Sequence, residues 1–155
     1  MRIGIYGGSF NPPHIGHLQG AKHAVAALSL DKLLLIPTNI SPGKKNSAST
    51  TMPRQRLEMV QLATPNDPHY EVLDMELRRK GFSYTHETLQ QVREQYPGAE
   101  LVLVVGTDMF LSLPDWQYAE EVCALASIAV LYRGQKGEAR SVQQQKEVQI
   151  GRVHV

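Results

Sequence analysis

An excess of charge of either sign is the first thing this chain does without. Its 16 basic and 15 acidic side chains leave a formal charge of +1, so no broad basic field exists to lie along a phosphate backbone. Nucleic acid is therefore excluded as the main partner, whereas a small anion needs only a local cluster of donors. Cysteine is nearly absent too. The single Cys123 cannot form an internal disulfide, and its apolar sequence neighbours predict a buried thiol of no special reactivity. No apolar run approaches the roughly 20 residues that cross a bilayer. The N-terminus offers one Arg2 before strand-like residues, not a charged segment leading into a long apolar stretch. The expectation is a soluble cytoplasmic protein with no membrane partner. Internal repeats and coiled-coil heptads are also missing. What 155 residues then allow most simply is one domain, 1–155, with one substantial core.

Glycine, proline and histidine, by contrast, crowd into one stretch, Gly7-Gly8-Ser9-Phe10-Asn11-Pro12-Pro13-His14-Ile15-Gly16-His17-Leu18. It follows an apolar opening, Ile3 to Tyr6, and precedes helical periodicity, so it reads as a strand-to-helix turn. Such a turn aims backbone N–H groups and the positive end of a helix dipole at its guest, which favours an anion. The glycines let the main chain of Gly8, Ser9 and Phe10 come close to a ligand, and the prolines fix the entry into the helix. His14 and His17 share one face if both lie in the first helical turn. The pair is open to three readings: metal ligands, ordinary satisfied histidines, or donors to phosphate. No Cys, Asp or Glu stands nearby to complete a metal site, and satisfied histidines would leave the surrounding glycines and prolines unexplained. Phosphate contact accounts for the whole stretch.

The rest of the chain alternates strand and helix. Arg2 to Gly7 predicts a buried strand. A helix follows from about Gly16 to Ser29, with Leu18, Ala21, Val25 and Leu28 at helical spacing, and Lys32 to Pro37 is a short continuous apolar run. Strand, helix and strand in that order predict a right-handed βαβ unit, whose ligands bind at the carboxyl ends of the strands. Pro53 suits the first turn of a helix with Leu57, Val60 and Ala63 on its apolar face, and Pro65 to Pro68 ends it. Tyr70 to Leu73 predicts a strand, and Arg78, Arg79 and Lys80 a solvated charge cluster. The next helix carries Leu89, Val92 and Tyr96 on one stripe and stops at Pro97-Gly98. Leu101 to Gly106 is the strongest buried strand in the sequence, and Ser127 to Tyr132 gives another. The fold class expected is α/β: a Rossmann-like, doubly wound parallel sheet of about five strands with helices on both faces. From Gly134 the signal fades, with 137–149 polar and 149–155 alternating like a strand.

Several further residues fall where such a sheet binds ligands. Thr38 to Thr51 has loop composition and leaves the carboxyl end of the second strand, which brings Asn39 and Lys44 to the binding edge. For Lys44 and Lys45 a solvated pair competes with a phosphate role. Ser83 and Thr85 are N-cap candidates, and the same helix start offers free N–H groups to a carboxylate. Gly106-Thr107-Asp108 brings a carboxylate out at a strand end, where it would cap the next helix and could also accept ribose hydroxyls or join a magnesium shell. Trp116, the only tryptophan, is either a packing residue or a stacking surface for a flat ring. Arg133 closes the last strong strand with the forked geometry that phosphates favour.

His14-Ile15-Gly16-His17 resembles the HxGH signature of the nucleotidylyltransferase superfamily, and the longer stretch is similar to the opening of bacterial nicotinate-nucleotide adenylyltransferases. Class I aminoacyl-tRNA synthetases share those four letters, but this chain is too short and carries no lysine-rich partner motif. Asp74-Met75-Glu76-Leu77-Arg78-Arg79 with Ser83-Tyr84-Thr85 resembles the same family's D-x-E-L-x-R and S-Y-T motif. The resemblance extends from Arg2 to about Arg133 and departs at Pro42-Gly43-Lys44, where the family has histidine in place of Gly43. Family members usually continue into an Ile-Ser-x-Thr-x-x-Arg segment that this sequence does not contain, so 134–155 is expected to be a weakly defined or incomplete C-terminal part.

The resemblance implies adenylyl transfer from ATP to nicotinate mononucleotide, in NAD biosynthesis, with Mg2+ as cofactor. It further implies that His14, His17, Lys44 and Arg133 act on the polyphosphate, and that Gly8, Ser9, Phe10, Gly106 and Asp108 meet ATP. Asn39, Tyr84, Thr85 and Trp116 would then receive the pyridine nucleotide. Magnesium would be held mainly by phosphates, with Asp108 as a candidate ligand. Alternatives within the fold are transfer to nicotinamide mononucleotide or phosphopantetheine; a different class is a catalytically weak nucleotide-binding module. Oligomeric state is not legible.

Overall fold

The computed structural model describes residues 1–8, 15–38, 53–78, 84–131 and 148–151, with the side chains of 15–17, 53 and 148–151 left out. The first strand, β1 (Arg2–Gly8), leads to helix α1 (Ile15–Ala27) and strand β2 (Lys32–Pro37). Then come α2 (Pro53–Ala63), β3 (Tyr70–Val72), α3 (Thr85–Gln95), β4 (Glu100–Gly106) and α4 (Thr107–Ser112). A 3-10 turn at Leu113–Asp115, α5 (Ala119–Leu125), β5 (Ser127–Leu131) and β6 (Val148–Gly151) complete the order.

The strands form one sheet in the order β3-β2-β1-β4-β5-β6. Five of them run parallel, and β6 pairs antiparallel with β5, covering an edge that would otherwise present unpaired backbone groups. The α/β expectation holds, with this antiparallel sixth strand added from the 149–155 stretch.

Period-two alternation along the buried strands divides the core in two. Ile3 and Ile5, Leu34 and Ile36, Leu101, Leu103 and Val105 point to the face covered by α3 and α5, where Leu89, Val92 and Val122 meet them. Tyr6, Leu33, Leu35, Val102 and Val104 point the other way, against Ala21 and Ala24 of α1, Leu28 just after it and Val60 of α2. Strands apolar on both sides follow from helices lying on both faces.

The amino edge of the sheet is fastened by one side chain. Arg2 Nε lies 3.0 Å from Glu100 Oε2 and its Nη1 donates to Leu28 O at 2.7 Å, while Asp31 accepts the Arg2 backbone N–H.

Two local details differ from expectation. The helix expected to reach Ser29 ends at Ala27, because Ser29 takes a left-handed conformation at φ 51 and the Leu30 N–H bonds back to Val25 O at 3.1 Å. Cys123 is only partly buried, because α5 is a short helix at the periphery of its core.

Candidate active site

The topology itself marks the place. From β1 the chain winds outward through β2 and β3, then returns to β4 on the other side of β1 and winds away through β5. Connections leave in opposite directions at that boundary, opening a crevice at the carboxyl ends of β1 and β4 where ligands of open α/β sheets bind. The β1–β4 register reaches Tyr6↔Val104, and two residues further along stand Gly8 on one strand and Gly106 on the other. The first and fourth strands therefore deliver their glycines to one crevice.

Beyond Gly8 the chain re-enters the described structure as α1, which places His17 in the first turn of a 13-residue helix. Its backbone thus sits beside the N–H groups that have no intrahelical acceptor. Ser9, Phe10, His14, Asn39, Lys44, Ser83 and Arg133 lie outside the described residues, so the expected phosphate-contact set is represented by Gly8 and the His17 backbone.

On the β4 side, Gly106 is the N-cap of α4, with no side-chain cap. Asp108 was expected to cap that helix; instead it lies inside the first turn with its carboxylate exposed. Gly106 has the extended backbone that a cap position requires (φ −79, ψ 171), which leaves the carboxylate two residues past the cap. Thr107 Oγ1, between the two, is buried with no hydrogen-bond partner among the described residues.

The start of α3 shows the same kind of correction. Tyr84 is the N-cap with an extended backbone and no side-chain hydrogen bond, so Thr85 is the first helical residue and not the cap. Tyr84 and Thr85 are both half-buried at this helix start. The D-x-E-L motif makes contact with this helix through its glutamate. Glu76 is 6% exposed and Thr88 1% exposed, and the Thr88 hydroxyl donates to Glu76 Oε2. A buried carboxylate must be hydrogen-bonded, and this bond ties the connection after β3 to α3.

Trp116 is half-buried against the core and its indole Nε1 donates to Ser112 Oγ at 2.9 Å. Its packing role is therefore visible.

Sequence reasoning missed an aromatic cluster. The Tyr118 and His86 rings lie 4.0 Å apart at 35°, and Tyr84 meets Tyr118 edge-on at 6.0 Å. Tyr118 holds this position at φ 66, a left-handed conformation for a bulky residue. His86 Nδ1 is buried without a hydrogen-bond partner among the described residues. No spacing signal joins residues so far apart in the chain.

The other omission is Arg56, 3% exposed, whose Nη1 donates to Thr38 O at 2.6 Å. Burial holds its guanidinium below the usual arginine range. Leu57, expected on the buried face of α2, is only half-buried; Arg56 and Val60, one turn apart, are the buried pair.

Among the described residues no three His, Cys, Asp or Glu side chains come together to hold a metal ion, and no helix is long and apolar enough to cross a membrane.

A crevice built this way is suited to an anionic nucleotide, and the cytidylyltransferase-like family model matches residues 5–150. The chain belongs to the cytidylyltransferase-like family. Among relatives of this cytidylyltransferase-like chain, a probable nicotinate-nucleotide adenylyltransferase of Desulfatibacillum aliphaticivorans is 43% identical over 138 residues, covering 89% of this chain and 62% of that one. A protein of the same name from Shouchella clausii (strain KSM-K16) is 37% identical over 132 residues, covering 85% and 68%. The chain thus spans about 62% of the length of several of the curated relatives it matches. In fold it is similar to Plasmodium falciparum nicotinic acid mononucleotide adenylyltransferase complexed with NaAD, with a TM-score of 0.72 at 19% identity, covering 93% of this chain and 70% of that one. A putative nicotinate-nucleotide adenylyltransferase from Vibrio parahaemolyticus gives 0.64 at 24% identity, covering 93% and 80%. These two likenesses carry the fold of the cytidylyltransferase-like chain.

Proposed function

We propose that this chain transfers the adenylyl group of ATP to nicotinate mononucleotide, releasing pyrophosphate and forming nicotinate adenine dinucleotide in the cytoplasm. One observation carries the reading: the glycine-ended strands β1 and β4 meet at the topological switch point, in a chain 43% identical to a protein bearing that name.

The reaction forms a bond between a phosphate oxygen of the mononucleotide and the α-phosphorus of ATP, and breaks the bond from that phosphorus to the pyrophosphate oxygen. The attacking oxygen is already anionic, so no protein nucleophile is needed. The protein must align the two reactants and stabilise charge on the phosphoryl oxygens. In this reading Gly8, Ser9 and Phe10 offer main chain to ATP, and His14 and His17 hold its phosphates. Lys44 and Arg133 neutralise the polyphosphate, while Gly106 and Asp108 meet the adenosine half. Asn39, Tyr84, Thr85 and Trp116 receive the pyridine nucleotide, whose carboxylate suits the free N–H groups at the start of α3.

The exposed carboxylate of Asp108 at the β4 terminus is a hard oxygen donor of the kind magnesium takes, with phosphate oxygens supplying the remaining ligands. Bound there, Mg2+ would offset charge on the polyphosphate.

Pyrophosphate release tests the reading. With ATP and Mg2+, nicotinate mononucleotide should support the fastest turnover among three acceptors, the others being nicotinamide mononucleotide and phosphopantetheine. His17→Ala should lose about 100-fold or more in kcat/KM while its thermal midpoint stays close to that of the parent. Faster turnover with another acceptor would reassign the substrate, and ATP binding without any turnover would leave a nucleotide-binding module.

A further inference from the structure

Arg56 is a buried charge that the roles above do not use. Removing a guanidinium from water is costly, and an apolar side chain on the same helix face would pack against β2 without that cost. Val60, one turn along α2, does so. What an apolar residue cannot do is donate.

The Arg56 Nη1 donates to the Thr38 carbonyl at 2.6 Å, a charge-assisted bond, and the Thr38 N–H donates to Gly8 O at 2.9 Å. The two bonds connect α2 to the carboxyl ends of both β2 and β1. Pro37, the last residue of β2, pairs with Gly8, and the Thr38 N–H one residue further on continues that parallel ladder by holding the Gly8 carbonyl. From this junction the chain departs twice: after Gly8 toward the glycine-histidine turn, and after Thr38 toward Asn39 and Lys44.

We propose that Arg56 is a positioning residue that fixes Thr38 and, through it, Gly8, so that both segments assigned to polyphosphate contact leave the sheet from one rigid junction. The idea rests on the adenylyl-transfer reading for its consequence, but its geometry stands apart from it. Arg56 touches no reactant in this scheme. Its effect comes through the placement of other groups, and small misplacement of reacting groups costs rate out of proportion to stability.

The test compares Arg56→Met, which keeps bulk and loses donors, with Arg56→Lys, which keeps one donor, and with Ile3→Val, a core substitution at the opposite end of β1. Amide hydrogen exchange at Thr38 should accelerate about tenfold or more in Arg56→Met and recover part way in Arg56→Lys. With ATP as the varied substrate, Arg56→Met should lose about tenfold or more in kcat/KM, and Arg56→Lys should regain part of it. Ile3→Val should lower the thermal midpoint while leaving both readouts unchanged. Should Arg56→Met fail to fold, Arg56→Lys against the parent gives the same comparison. Unchanged Thr38 exchange in the variants overturns the junction, and faster exchange with ATP kinetics like those of Ile3→Val overturns the positioning role. A parent protein that releases no pyrophosphate counts instead against adenylyl transfer. ATP affinity by calorimetry then decides the role of Arg56: a drop of the same size supports it, and an unchanged value overturns it.

Discussion

At the scale of single residues, the sheet centre tolerates little. A Cβ added at Gly4 would stand 2.6 Å from Leu30 Cδ1 and 2.8 Å from Leu33 Cδ1, both in the buried layer beneath α1. Those methyl groups have close-packed neighbours of their own, so relief requires shifted rotamers. Gly4→Ala should therefore destabilise by about 1–3 kcal/mol, read from urea unfolding; a loss within about 0.5 kcal/mol would mean the leucines move freely. Gly4 gave no such warning in sequence, because a glycine in a strand does not announce which neighbour needs its space. Glu76 illustrates the limit differently. Its motif was legible, yet its buried bond to Thr88 gives it a bracing role that the motif letters do not contain. Arg56 was hidden for a related reason: helical periodicity counts apolar residues, and a buried charge at an apolar position reads as solvent-facing.

At the scale of elements, strands apolar on both faces and helices with clear stripes were legible because burial selects those patterns directly. Helix ends were less so. Ser83, Thr85 and Asp108 have good capping chemistry, but Tyr84 and Gly106 occupy the cap positions since the chain path out of the preceding segment sets which residue is extended. The end of α1 is similar: Ser29 takes a left-handed conformation that glycine adopts without steric cost. Ser29→Gly should raise stability by up to about 1 kcal/mol, visible as a higher thermal midpoint. A lower midpoint would show that the serine makes a compensating contact. Tyr118, also left-handed, differs because its ring is committed to His86 and Tyr84, so backbone relief there would be offset by lost ring contacts.

Across the whole molecule, one consequence of strand order organises everything else. Since β1 and β4 are neighbours while their connections run apart, the carboxyl ends of these two strands form the only reversal of winding among the parallel strands described. The glycine-histidine stretch follows the first of them and the Gly-Thr-Asp stretch the second, so two motifs about a hundred positions apart in the sequence start from neighbouring strand ends. Sequence reading reached this far because strand-end motifs are local. It stopped at the aromatic cluster and the Arg56 junction because those are made by contacts between distant elements. The central claim is that the start of α1 grips the triphosphate of ATP. A crystal structure of the protein with a non-hydrolysable ATP analogue tests it most directly: triphosphate density within hydrogen-bond reach of His14 and His17 is predicted, and density for that tail elsewhere on the molecule would contradict the account.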